Sequence, residues 1–534
     1  MPTVKDVTFD LLRKLGVTTV VGNPGSTEET FLKNFPDDFE YVLALQEASV
    51  VGIADGLSQG LRKPVIVNVH TGAGLGNAMG NILTAYLNKT PLIITAGQQT
   101  REMLLMEPFL TNIDATQLPR PWVKWAYQPA RPEDIPGAFM RAYATAVQEP
   151  AGPVFLSLPL DDWDKEMPFD VPLRSVSTRR APDPVAVSSF AERLNAARNP
   201  VLIYGGDIAR AGETAWQSGV ALAERLNAPV WSAPFCERTP FPETHPLFAG
   251  NLPAAIGPLS DRLAGHDLIA VVGAPVFRYY PYVPGRYLPE GAALLHVTDD
   301  PDEAAKAIAG DSLVGDAGWV LDAMLPLVKA RPRPSLAPLR EAPKTAPAGL
   351  PLDPLAVFQT LRANSPDDIV VTNESPSNTA AFEDQFRFSK PDSFYTFASG
   401  GLGWNMPASV GLALAERKTG RNRPVLCLMG DGSFQYSVQS IYTAVRQKLQ
   451  VIYVVLQNFE YGILKEFAVL EKTPNVPGLD LPGLDIVSLA KGYGATAVSA
   501  ETPEALAEAY RRALASTGAT VIVVPITRKL VSLI

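Results

Sequence analysis

One rhythm constrains this chain more than anything else in it. In each third, short β-branched runs that end in glycine or a polar turn alternate with longer stretches of helical periodicity. The first third carries TTVVGNPG, PVIVNVH and PLIITAG; the second NPVLIYGGD, APVWSAP and DLIAVVGAP; the last DDIVVTNES, RPVLCLMGDGS, LQVIYVVLQN and ATVIVVPI. Continuous apolar strands separated by helices belong to parallel sheets covered on both faces. The expected fold is therefore α/β, with three doubly wound parallel-sheet domains. Two proline-rich stretches, 168–184 and 331–354, read as linkers because proline has no backbone donor and extends the chain. They set the expected domains at 1–168, 183–330 and 353–534. Ligands of such sheets lie beyond the carboxyl ends of the strands, so the informative residues should follow the strands.

Charge and cysteine usage narrow the partners. A net charge of −9 leaves no basic footprint, which speaks against nucleic acid and anionic membrane surfaces. The two cysteines, Cys236 and Cys427, are far apart and suit a reducing compartment. The start reads as an amphipathic helix entering a strand rather than a signal peptide, and no run approaches the ~20 apolar residues of a membrane span. A cytoplasmic protein is expected.

The densest signal runs from Arg423 to Asn458. A strand, RPVLCLM, leads into Gly430-Asp431-Gly432-Ser433, then a helix expected over Phe434–Gln447, then a strand ending at Asn458. Gly430 and Gly432 permit close backbone approach. Ser433 and the following helix amides can donate to a phosphate. Asp431 and Asn458 bring two oxygens from neighbouring strand ends, the donor type that Mg²⁺ prefers when it bridges protein to phosphate. Alone, GDGS is equally a tight turn with a solvated aspartate. In the first third, LALQEASVVGIADG places Glu47 at a helix start, where a carboxylate is also ordinary capping.

Together these motifs resemble the thiamine diphosphate-dependent 2-keto acid decarboxylase family, and within it the benzoylformate decarboxylase branch. Further carriers of the likeness are GNPGS (22–26), NVHTGAG (68–74), TAGQQTR (95–101), LPRPWVKW (118–125), DDWDK (161–165), GAPVFRY (273–279), GGLGWNMPASVGLAL (400–414) and NVPGLDLPGLD (475–485). The resemblance implies thiamine diphosphate bound through Mg²⁺, with Ca²⁺ as an alternative, and a small 2-keto acid as substrate. Glu47 would activate the aminopyrimidine. The carbonyl of Gly400 would hold that ring, and Leu402 would bend the cofactor. Gly430, Gly432, Ser433, Asn458, Tyr461, Gly462 and Ile463 would line the diphosphate end, with Asp431, Asn458 and the carbonyl of Glu460 as metal ligands. Ser26 and His70 would hold the keto acid and move protons. Leu110, Tyr280, Pro376, Ile463, Leu464, Phe467 and Leu479 would shape the substrate pocket. The carbonyls of Gln117, Leu118 and Arg120 resemble a second cation site. Because the family shares its cofactor between subunits, the resemblance implies a homo-oligomer with active sites at a dimer interface, a tetramer of two dimers.

This sequence departs from the branch at Tyr280, where the family has a second catalytic histidine, and at Pro376, Thr396 and Ile463. Tyrosine, with a pKa of about 10, is a poor proton relay at neutral pH. The expected reaction is non-oxidative decarboxylation to an aldehyde and CO₂ with carboligation beside it. The alternative is a carboligase that forms 2-hydroxy ketones, similar to acetolactate synthase. A catalytically silent binding protein is disfavoured by the retained Glu47, His70, Asp431 and Asn458. A nicotinamide dehydrogenase lacks its glycine fingerprint here.

Overall fold

The computed structural model describes residues 1–332, 338–530 and 532–533. They build three six-stranded sheets in which every pairing is parallel. The first holds β1 (Thr19–Gly22), β2 (Glu40–Leu43), β3 (Val65–Val69), β4 (Leu92–Gln98), β5 (Ala126–Tyr127) and β6 (Val154–Pro159), ordered β2-β1-β3-β4-β6-β5. The central sheet holds β7 (Pro200–Tyr204), β8 (Val230–Ser232), β9 (Phe248–Asn251), β10 (Leu268–Val272), β11 (Ala293–Thr298) and β12 (Asp311–Val314), ordered β12-β11-β10-β7-β8-β9. The third holds β13 (Val370–Glu374), β14 (Phe394–Tyr395), β15 (Val425–Gly430), β16 (Val451–Gln457), β17 (Thr496–Ser499) and β18 (Thr520–Pro525), ordered β14-β13-β15-β16-β18-β17. Counted from its own first strand, each outer sheet reads 2-1-3-4-6-5, whereas the central one reads 6-5-4-1-2-3.

The Val- and Ile-rich runs become central strands that are buried along their length, as in β3, β4 and β16. Helices on both faces supply that cover, so the three-domain parallel architecture read from the sequence is the one observed. One local expectation changes. The helix expected over Phe434–Gln447 is two helices, Asp431–Gln435 and Ser440–Arg446. The chain turns between them so that the Ser437 hydroxyl can donate to the carbonyl of Gly403 at 2.6 Å.

One apolar cluster runs across both outer domains, and each keeps a further cluster of its own. Their junction is the helix Glu47–Leu61 against the helix Asn405–Thr419. A Cβ added at Gly56 would lie 2.1 Å from the carbonyl oxygen of Ala408, and one at Gly411 would lie 2.0 Å from that of Ile53. Contacts advance together along both helices, from Gly52 on Pro407 to Gly60 on Ala415, so the helices run parallel at backbone contact. The central domain keeps separate apolar clusters. Residues 168–183 form no regular element. In the second proline-rich stretch, 333–337 lie outside the described residues, but the chain beyond is strapped down. The Leu339 amide donates to Pro246 at 3.0 Å, and Arg340 donates to the carbonyl of Glu383. Among the described residues no helix is long and apolar enough to cross a membrane.

Candidate active site

The predicted residues gather into two sets, one on each outer domain. In the first domain, His70 ends β3 and caps the helix Thr71–Leu87. Its Nδ1 lies 2.7 Å from Oε2 of Glu28, whose side chain is almost fully buried. Glu28 also accepts from the amides of Gly25 (2.9 Å) and Gly97 (2.7 Å) and from the Thr27 hydroxyl (2.8 Å). A carboxylate so held fixes the imidazole with Nδ1 inward and leaves Nε2 as the nitrogen a ligand can reach. The Gly25 backbone lies against the ring: a Cβ there would sit 2.1 Å from Nδ1. Ser26 is exposed on the same turn. Sequence reading passed over Glu28. The signal was its place two residues after the GNPGS turn, easily taken for helix capping.

Glu47 opens its helix and is 7% exposed. Its two oxygens accept from the side-chain amides of Asn23 (2.9 Å) and Asn77 (3.1 Å). Asn77 and Gly74 lie on the helix that His70 caps, and a Cβ at Gly74 would lie 3.1 Å from Cγ of Glu47. Glu47 and His70 therefore share one rim at the carboxyl ends of the first sheet. Gln117, Leu118 and Arg120 lie on a tight turn of the same domain, where the Gln117 carbonyl already accepts from the Arg120 amide at 3.0 Å.

In the third domain, Asp431 follows β15 and is 1% exposed. Its Oδ2 accepts from the amide of Phe459 at 2.6 Å, and its Oδ1 from that of Gly432 at 2.8 Å. This joins the turn after β15 to the turn after β16, which carries Asn458 and Glu460. Burial raises the Asp431 pKa, and the amide bonds from Phe459 and Gly432 oppose that rise. Phe459 takes a positive φ of 58°, so the 458–460 turn is tightly curled. A Cβ at Gly432 would meet the Tyr461 ring at 2.5 Å, so glycine is what lets that ring pack down. Gly430 and Gly400 instead face open space, with nothing within 4 Å of an added Cβ. Leu402, two residues after Gly400, is half-buried. Ser433 is buried, and its hydroxyl donates to Glu374, a second carboxylate the sequence reading did not single out.

The pocket residues of this domain border the helix Gly462–Leu470. A Cβ at Gly462 would lie 3.0 Å from the Ser377 hydroxyl, beside Pro376. Leu479 accepts from the Tyr461 amide at 2.9 Å. Tyr280, from the central domain, packs on Phe467 with ring centroids 5.0 Å apart. Leu464 is 45% exposed, and Ile463 lies next to it on the helix. Leu110 stands apart on the first domain, in a segment where Leu105 (96%), Phe109 (89%) and Ile113 (65%) are open to solvent. Among the described residues no hydrogen bond or ion pair joins the rim of Glu47 and His70 to the turns of Asp431 and Asn458. Also among the described residues, no group of three or more His, Cys, Asp or Glu side chains could hold a metal by itself.

Comparison with known proteins assigns this arrangement to a class. Residues 2–118 match the N-terminal TPP binding domain of the thiamine pyrophosphate enzymes, 187–324 their central domain and 377–524 their C-terminal TPP binding domain. That is the full domain set of a thiamine pyrophosphate enzyme. The chain is 45% identical to benzoylformate decarboxylase of Pseudomonas aeruginosa over 528 residues, covering 98% of this chain and 99% of that one. The crystal structure of benzoylformate decarboxylase from Polynucleobacter necessarius superposes with a TM-score of 0.98 at 65% identity, with 100% of both chains covered. The thiamine diphosphate-dependent 4-hydroxybenzoylformate decarboxylase of Rhodococcus jostii RHA1 gives 0.95 at 43% identity, covering 99% of this chain and 100% of that one. The chain belongs to the thiamine diphosphate-dependent 2-keto acid decarboxylases, a family of carboxy-lyases.

Proposed function

We propose that this protein decarboxylates an aryl 2-keto acid of the benzoylformate type to an aldehyde and CO₂, using thiamine diphosphate anchored by Mg²⁺. The observation that carries the reading is the bond from the Phe459 amide to Asp431, which sets two oxygen-bearing turns side by side next to the uncovered backbone of Gly430. The donor set suits a cation that arrives with a diphosphate. Asp431, the Asn458 side chain and the Glu460 carbonyl are too few to enclose Mg²⁺, which ordinarily completes its shell with phosphate oxygens and water. Ca²⁺ fits the same oxygen donors.

Bound thiamine diphosphate supplies the nucleophilic carbon and the electron sink for loss of CO₂. The chain's own residues do the rest. Glu47, held by Asn23 and Asn77, would offer a buried carboxylate to the aminopyrimidine, and Gly400 and Leu402 would hold that ring. Ser26 and His70 hold the keto acid, with Glu28 orienting the imidazole. Pro376, Ile463, Leu464, Phe467, Leu479 and Tyr280 wall the pocket. Gln117, Leu118 and Arg120 form a structural cation site. No hydrogen bond or ion pair joins the two sets among the described residues, and the family shares its cofactor between subunits, so a second copy of the chain would complete each site, in a tetramer of two dimers. The exposed Leu105, Phe109 and Ile113 suit such a contact, and they would carry Leu110 to the partner's pocket. We place the enzyme in the cytoplasm, which suits its two free cysteines, and divide it at 1–168, 183–330 and 353–534.

Carboligation accompanies decarboxylation in this reading. Tyr280 stands where the branch has a histidine, and a tyrosine, with its pKa of about 10, would be a poor proton relay at neutral pH, so the products should shift toward 2-hydroxy ketone. The test is product analysis on a panel of aryl and aliphatic 2-keto acids with thiamine diphosphate and Mg²⁺. Benzaldehyde and CO₂ from benzoylformate are expected, with 2-hydroxy ketone rising as aldehyde accumulates. A protein that turns over only aliphatic acids, or yields only hydroxy ketone, would refute the aryl decarboxylase reading.

A further inference from the structure

Glu374 ends β13 and is 2% exposed. One of its oxygens accepts from the Gly403 amide at 2.7 Å and from the Ser433 hydroxyl; the other accepts from the Asn405 amide at 2.8 Å. Asn405 opens the 15-residue helix Asn405–Thr419, so the carboxylate sits at the positive end of that helix. Gly403 has a φ of 102°, and its carbonyl is held by Ser437 at 2.6 Å. Trp404, between the two bonded amides, donates its indole N–H to the buried Asp55 of the first domain at 2.6 Å. A single carboxylate therefore ties the turn bearing Gly400 and Leu402 to the turn bearing Asp431 and Ser433. Burial pushes the Glu374 carboxyl up to about 7, against the opposing pull of Ser433, Gly403 and Asn405.

We propose that Glu374 is a positioning residue that sets cofactor affinity by fixing the spacing between these two turns. The inference rests on the thiamine diphosphate site of the preceding section. It also revises the part played by Ser433. A serine hydroxyl has one proton, and while that proton goes to Glu374 it cannot go to a phosphate. Ser433 then meets the diphosphate through its backbone amide, and its side chain serves as the strut to Glu374.

The experiment is calorimetric titration of the full-length apoprotein with thiamine diphosphate in the presence of Mg²⁺. Wild type, Glu374→Gln, Ser433→Ala and the double variant are compared, with kcat measured at saturating cofactor. Glutamine keeps the shape but offers one acceptor oxygen where Glu374 uses two. Glu374→Gln should raise the cofactor Kd at least about tenfold while kcat at saturation stays within about threefold. The double variant should bind within about twofold of the weaker single variant, because both changes break the same strut. Unchanged Kd in Glu374→Gln, or losses that multiply in the double variant, would overturn the positioning role alone. Wild-type protein that takes up no thiamine diphosphate would overturn the proposed function as well. If Glu374→Gln does not fold, Glu374→Asp retains the charge but retracts it. The same rise in Kd is then expected, and an unchanged Kd overturns the role.

Discussion

At the carboxyl end of β15 the chain presents Asp431 beside Gly430, whose backbone faces open space, and at that of β3 it presents His70. At the end of β7 it presents Gly205-Gly206-Asp207, beside the point where the central strand order reverses between β7 and β10. In open parallel sheets that point is the usual ligand crevice. Here the protein has filled it. A Cβ at Gly206 would lie 2.2 Å from Glu237, and one at Gly205 would lie 2.3 Å from Ala274. Lys89 reaches in from the first domain to Asp207 (2.9 Å) and Asp299 (2.6 Å). Arg210 pairs with Asp207 and, at 2.5 Å, with Glu237, which Arg278 also meets at 3.1 Å. Burial alone would lower the Lys89 pKa, but Asp207 and Asp299 outweigh it and raise it. The same layered plan thus serves TPP binding domains at the outer positions and an ionic clamp in the central one. Fold position alone does not say which.

The contrast can be broken most forcefully at Glu47. Glu47→Gln retains the shape and removes the charge, so kcat should fall at least about a hundredfold, the range of a lost acid–base group, with cofactor Kd within about threefold. Steady-state rates beside a binding titration check this, and a variant with full activity would show that the outer rim is as purely structural as the central crevice. Lys89→Met probes the other side. Removing one partner of a buried ionic group costs about 3–5 kcal/mol, because Asp299 and part of Asp207 are left uncompensated. Guanidinium unfolding should show that loss, while kcat per folded molecule stays within about twofold. A kcat that fell in step with stability would mean that the clamp takes part in the chemistry.

The two regions also differ in how readily the sequence reveals them. The buried central strands announce themselves as Val and Ile runs; the GDGS turn and the asparagine ending the next strand pointed to Asp431 and Asn458, whereas His70 was marked only by the family resemblance. Strands such as β5 and β14, two residues each, carry no period to read. Glu28 and Glu374 escaped notice for a different reason. Each acts through partners distant in sequence, Glu28 through His70 and Gly97, Glu374 through Gly403 and Ser433, and a local pattern shows neither. The break in the helix after Phe434 was hidden likewise, since its cause is the carbonyl of Gly403 more than thirty residues upstream. The clamp around Lys89 was wholly illegible, because charged residues scattered over the first two domains read as surface until folding buries them together.

The smallest expected effect concerns how the central domain is tied to the third. Glu243 is partly buried, accepts from the Phe388 amide at 3.1 Å and lies 3.8 Å from Arg340. Burial pushes its carboxyl up to about 7, with Arg340 pulling the other way. The folded state therefore holds this proton more tightly than the unfolded chain, whose carboxyl titrates near 4.5. Its contribution to stability is complete below the unfolded value, declines as pH rises through that window, and is flat above the folded value. Glu243→Gln cannot ionise and should escape the decline. Compared by urea unfolding at pH 5 and pH 8, the variant should gain on wild type at the higher pH, by no more than about 3 kcal/mol. An identical gap at both pH values would mean that Arg340 fully compensates Glu243. The tie between the central and third domains would then be an ion pair like the Lys89 clamp, and the central domain would be held to both its neighbours by the same physics.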